Sequence, residues 1–203
     1  MKFSETAWKI FNQAIADYHI HDNVDQEISN PYPSGSLEHL LYAKNWIDTV
    51  QWHLEDIIRD ENINPAEALL LKRTIDSSNQ KRTDLVEYID GWFLNKYQDI
   101  TPNSDAKINT ETPAWAVDRL SILALKIYHM NLEANRETAN QEHRQNCSAK
   151  LAVLREQHED LTRAIDNLLF DIENGSVKMK VYKQMKMYND ETLNPILYQK
   201  SEK

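Results

Sequence analysis

Three segments of this 203-residue chain put polar and ionisable groups of both signs among apolar neighbours. Residues 44–59 carry Lys44, Asn45, Asp48, Trp52, His53, Glu55, Asp56 and Arg59. Residues 72–90 carry Lys72, Asp76, Asn79, Gln80, Arg82, Asp84, Glu87 and Asp90, with no apolar residue from Asp76 to Asp84. A third run, 118–129, embeds Asp118, Arg119, Ser121, Lys126 and His129 in an apolar background. Lys72, Arg82, Arg119 and Lys126 are suited to neutralise an anionic group. Asn79 and Gln80 would add directional hydrogen bonds, and Asp76 and His129 further polar contacts. Trp52 would stack on a ligand, because a large aromatic on a polar face is otherwise wasted in solvent. His53 with Glu55 or Asp56 would supply acid–base chemistry.

Histidines raise the chemistry of a metal. His53, His129 and His158 fall on three separate segments, but no HExxH and no Glu-x-x-His pair occurs, so the zinc-protease and di-iron patterns both fail. His158 sits in a core seam, and no metal site is expected. His21-Asp22 forms a doublet of the kind seen in metal phosphohydrolases, a signal of only two residues. Cys147, the single cysteine, also falls in the seam, so neither a Cys–His nucleophile nor an intramolecular disulfide is expected.

The elements that must position these groups are helices. Apolar residues recur at helical spacing over about 3–20, 36–60, 65–95 and 113–133, and over a long segment at about 136–174. Ser36, Asn64-Pro65 and Thr112-Pro113 read as helix starts, with Glu67 completing a capping box after Asn64. The fourth helix is apolar nearly all round, which marks it as central. On the fifth, Cys147, Leu151, Leu154, His158, Leu161, Ile165, Leu168 and Ile172 alternate by four and three as a packing seam, and Gly175 suits a left-handed stop. The arm 176–203 alternates Val177, Met179 and Val181 with lysines, Lys178 to Lys186, and reads as extended. The expectation is an all-α bundle of about five main helices in a single domain, with an extended C-terminal arm. Counting outward from the turn between the second and third helices puts Asp48 near Asp76.

Three glycines in the whole chain, far apart, exclude a phosphate-binding loop and argue against a β-barrel. Any ligand must therefore be held by side chains on helices, with Gly91 the one glycine near a polar block. A net charge of −9 disfavours nucleic acid as a partner. Neither a secretory signal nor a membrane span is recognisable, so a cytoplasmic protein is expected.

The blocks IDTVQWHLEDIIRD (47–60), KRTIDSSNQKRTDLVEYID (72–90), DRLSILALKIYHM (118–130) and KQMKMYNDETLNP (183–195) together resemble an uncharacterised bacterial family, domain-of-unknown-function family 4254, in its Bacteroidetes branch. The resemblance implies a stand-alone bacterial protein with no established activity, and it supplies neither catalytic residues nor a cofactor. Glu87-x-x-Asp90 with Asp56 and Asp60 also loosely resembles all-α nucleotide pyrophosphohydrolases, which hold magnesium through carboxylates on adjacent helices. Their Glu-x-x-Glu pair is missing, since Arg59 stands three residues after Asp56.

Two readings result. In one, a small anionic ligand such as a phosphorylated metabolite or sugar nucleotide binds between the second, third and fourth helices. In the other, the polar segments form an internal network or subunit interface of a non-enzymatic scaffold, compatible with a homo-oligomer. The second reading expects Asp76→Ala or Arg82→Ala to cost a few kcal/mol.

Overall fold

The computed structural model describes residues 2–183, 187, 190 and 192–199. Five long helices dominate: α1 (Phe3–Tyr18), α2 (Leu37–Ile57), α3 (Pro65–Lys96), α4 (Pro113–Asn135) and α5 (Gln141–Glu173). A one-turn helix, α6 (Pro195–Tyr198), follows, and two two-residue strands, β1 (Lys107–Ile108) and β2 (Val177–Lys178), pair in parallel. The all-α bundle expected from periodicity is what the chain forms.

Polar side chains set the helix starts, because the first N–H groups of a helix lack intrahelical acceptors. Ser36 accepts from the His39 N–H, Asn64 from Ala66 and Thr112 from Trp115, with proline at the first position of α3 and α4. Asn64 uses only its own carbonyl, so the expected capping box through Glu67 does not form. Asn140 caps α5 through the His143 N–H, which moves that helix's start from about 136 to Gln141. Gly175 takes φ +72°, and a Cβ there would meet the Thr101 carbonyl at 3.0 Å, so glycine both ends α5 and admits the 101–103 loop. Gly91 lies inside α3, where a Cβ would meet nothing within 4 Å, so the packing there does not require glycine.

One continuous apolar core joins Phe11 and Ile15 of α1, Leu41 of α2, Ile89 and Phe93 of α3, Leu120 and Ala124 of α4, and Ile165 of α5. α4 is central only through Leu125: from Lys126 on, every residue is at least partly exposed, against the expectation of a helix buried along its length. The first half of α5 packs through Cys147 and Leu151 and leaves most of its surface open. Val177 and Met179 pack against the core while Lys178 and Lys180 stay exposed, as alternation predicts; Lys186 lies outside the described residues.

Asp90 anchors α3 to the start of α4. Its carboxylate is buried and accepts from Thr112 Oγ1 at 2.9 Å. Burial is the largest influence and raises its pKa from 3.8 to about 6, against the Thr112 and Ala114 donors that lower it. A folded-state value above the unfolded one means that the stabilising contribution is full below 3.8 and is lost as pH rises through about 6. Asp90→Asn keeps the acceptor for Thr112 and removes that loss. Urea denaturation should show the variant gaining on wild type from pH 4 to 7, by up to about 3 kcal/mol. A difference independent of pH would contradict this assignment.

Candidate functional site

α2 carries three chemistries on three faces. Lys44 and Asp48, one turn apart, point into the bundle toward α3 and α4. The Lys44 ammonium is fully buried, ion-paired with Asp48 and 2.7 Å from Asp118 Oδ1 on α4. Asp48 Oδ1 accepts from Arg82 Nε of α3 at 2.6 Å, and Oδ2 accepts from Ser121 Oγ at 2.6 Å. Asn45 donates to Ser121 Oγ at 3.0 Å, and Arg82 donates through Nη1 to Asn79 Oδ1 at 2.9 Å. Two cations and two carboxylates thus balance with hydrogen bonds on every charged group. Buried ions are tolerated only under that condition, because desolvating each one costs several kcal/mol.

Beside this network opens a cleft of about 400 Å³, walled by Gln51, Trp52, Glu55, Asp56 and Arg59 of α2, Asn79 and Arg82 of α3, and Ile122 and Leu125 of α4, with Asp48 at its base. Arg82 meets Asp48 through Nε and Asn79 through Nη1, which leaves Nη2 outside both bonds. Gln51 is 5% exposed, donates to Glu55 Oε1 at 3.1 Å, and holds its amide oxygen buried without a partner. Arg59 leans on Glu55 and Asp56 at the rim.

The third face of α2 turns His53 toward α1. His53 Nε2 lies 3.3 Å from His19 Nε2, and each of His19, His53 and His129 offers a nitrogen within 4.8 Å of the other two. His19 donates from Nδ1 to the Ile15 carbonyl at 2.7 Å, a bond that leaves its Nε2 unprotonated when the ring is neutral. Trp52 stacks on His129 at 4.7 Å, and Tyr18 on His53 at 5.2 Å. Burial lowers the His53 pKa, and burial followed by the neighbouring His53 and His19 charges lowers that of His129 to about 4.

Several residues singled out in the sequence come together and others do not. Trp52, Glu55, Asp56, Asn79 and Arg82 share the cleft, whereas His53 faces away from it. Lys72 and Asp76 pair with each other in solvent, because α3 begins beyond the end of α2 and Asp48 meets Arg82 rather than Asp76. Gln80 donates to Asp84 at 2.8 Å and does not line the cleft. Arg119, paired with Glu111, and Lys126 line a separate groove of about 530 Å³ against Gln157, Asp160 and Leu161 of α5. The pyrophosphohydrolase-like carboxylates are not gathered: Asp56 is in the cleft wall, whereas Asp90 is bonded to Thr112 at the start of α4.

His158 packs on Trp8 with ring centroids 3.8 Å apart and planes tilted by 35°, away from the other histidines, and His19 takes the third position beside His53 and His129. Cys147 Sγ lies 3.4 Å from His143 Nε2, which is 2.8 Å from Glu133 Oε2. A single nitrogen makes both contacts, so the imidazole cannot take a thiol proton while the carboxylate holds its opposite edge, as a catalytic triad requires. Gln51 and His19 carry no local signal that marks them in the sequence. Gln51 is an ordinary polar residue in a helix, and His19 lies just past the end of α1.

A five-helix bundle with a charge-balanced core and a polar cleft defines a structural class rather than an activity. Residues 38–181 match the family model described as "Protein of unknown function (DUF4254)", and the chain belongs to that family. No curated protein and no solved structure matches it. Among the described residues no helix is long and apolar enough to cross a membrane.

Removing Asp48 takes one partner each from Lys44, Arg82 and Ser121 and leaves two cations facing Asp118 alone. Asp48→Ala should therefore lose about 3–5 kcal/mol in urea denaturation. Asp76→Ala, which breaks only an exposed pair, should lose less than about 1 kcal/mol. Equal losses for the two variants would refute the division between core network and surface.

Proposed function

We propose that this chain binds a small polar metabolite, with an anionic phosphate-type group and hydroxyl donors, in the cleft between α2, α3 and α4. The observation that carries this reading is Gln51: its amide oxygen is buried, unpaired and in the cleft wall. Buried acceptors are nearly always satisfied, so this one invites a donor from a ligand. Arg82 Nη2 and the rim guanidinium of Arg59 are the anion-binding groups, and Trp52 offers a face for a sugar or base. Three carboxylates, Asp48, Glu55 and Asp56, share the lining with two arginines. That favours a ligand with hydroxyls or a counter-cation over a bare polyanion. Glu55 and Asp56 are the acid–base groups for any chemistry there.

The buried Lys44–Asp48–Asp118–Arg82 network serves as the base of this cleft. A bacterial cytoplasmic setting, of the Bacteroidetes-type branch, belongs to the same proposal.

A thermal-shift panel of sugar phosphates and nucleotides tests it. A ligand at one hundred times its Kd stabilises by about 2.7 kcal/mol, a clearly readable rise in Tm. Gln51→Leu conserves volume and should abolish the rise while keeping the Tm of the free protein. No response to any member of the panel, or an undiminished response in Gln51→Leu, would defeat the proposal.

A further inference from the structure

We infer that His19, His53 and His129 form a binding site for a divalent first-row transition-metal ion, zinc in the first instance, behind the Trp52 wall of the cleft. The inference goes beyond the cleft reading, since these histidines are not among its lining residues.

The geometry is that of a ligand set. On a tetrahedral centre with metal–nitrogen distances of about 2.0–2.1 Å, two ligand nitrogens stand about 3.3–3.4 Å apart. His19 Nε2 and His53 Nε2 are 3.3 Å apart. The third imidazole offers a nitrogen within 4.8 Å of both, a gap that modest side-chain rotation closes. The three come from three elements: the end of α1, the middle of α2 and the exposed half of α4.

The surroundings prepare the rings for a metal. The Nδ1 bond from His19 to the Ile15 carbonyl is the kind of outer contact that fixes a ligating tautomer and orients its lone pair. Tyr18, Trp52 and Tyr128 pack on His53, His129 and His19 and hold their planes. A proton shared between His19 and His53 would satisfy those two rings only. His129 Nε2 would remain buried and without a hydrogen-bond partner.

Charge fits as well. Asp22 Oδ1 lies 3.5 Å from His53 Nε2, brought there by a left-handed turn with φ 47°. Three neutral imidazoles with one carboxylate at the edge favour zinc, cobalt or nickel over magnesium or calcium, which prefer oxygen ligands. Three protein nitrogens also leave a fourth position for water or for Asp22, as in open rather than structural sites.

Metal-free protein titrated with zinc chloride by calorimetry, and with cobalt(II) by visible absorption, tests the site. One ion per chain should bind, with cobalt giving tetrahedral-type bands. His19→Gln and His53→Gln should each weaken binding about a hundredfold or more, beyond the usual cost of losing an outer contact. His143→Gln, on a different surface, should leave it unchanged. Circular dichroism establishes that the variants fold, and if His129→Gln does not, the other two decide. Gln51→Leu should retain zinc affinity, so failure of the cleft reading and failure of the metal reading are separable. Absence of stoichiometric binding, or binding unchanged in both His19→Gln and His53→Gln, would overturn the inference.

Discussion

A lysine ammonium that touches no water must be neutralised where it stands, and Lys44, at 0% exposure, imposes that condition on three helices at once. Asp48 answers from one turn further along α2 and Asp118 from α4. Two carboxylates against one ammonium would leave an excess of negative charge, and Arg82 of α3 removes it. Desolvation makes any incomplete version costly, so α2, α3 and α4 are constrained to the registers that complete the set. Hydrophobic packing alone tolerates sliding and exchange of similar residues far better than a closed set of charges does.

The same constraint explains why the cleft and the histidine group are adjacent. With Lys44 and Asp48 turned inward, the helical repeat sends Gln51, Trp52 and Glu55 along the open side between α3 and α4, and His53 toward α1. Trp52 belongs to both neighbourhoods, lining the cleft and stacking on His129. Asp56 also lines the cleft and acts electrostatically on His53 and His129. A ligand in the cleft and an ion behind it would therefore be separated by one indole ring.

Much of the fold was legible because helix periodicity, N-caps and the scarcity of glycine are local signals. Ser36, Asn64 and Thr112 cap where their types predict, and Gly175 ends α5 in the left-handed conformation. Location of the polar cleft was legible too, through Trp52, Asn79 and Arg82. Long-range geometry was not. α3 starts beyond the end of α2, so level-counting from the turn paired Asp48 with the wrong turn of α3, and Lys72 and Asp76 ended in solvent. On α4, Asp118 and His129 share one face, while Arg119, a single residue and about 100° further round, opens onto α5 with Lys126. Periodicity tells which residues share a face but not which neighbour that face meets. His19 was hidden for the same reason, since only the packing of α1 on α2 and α4 brings it to His53 and His129.

The central claim is that the buried charges form one balanced set. A double-mutant cycle in urea denaturation on Lys44→Met and Asp118→Leu tests it most directly. Lys44→Met alone leaves negative charge unbalanced in the core and should be strongly destabilising, whereas adding Asp118→Leu removes one charge of each sign. The account predicts that the double variant recovers a large part of what Lys44→Met loses, with a coupling of about 1–3 kcal/mol. Strict additivity of the two losses would show that Lys44 and Asp118 are buried independently, and the claim would be wrong.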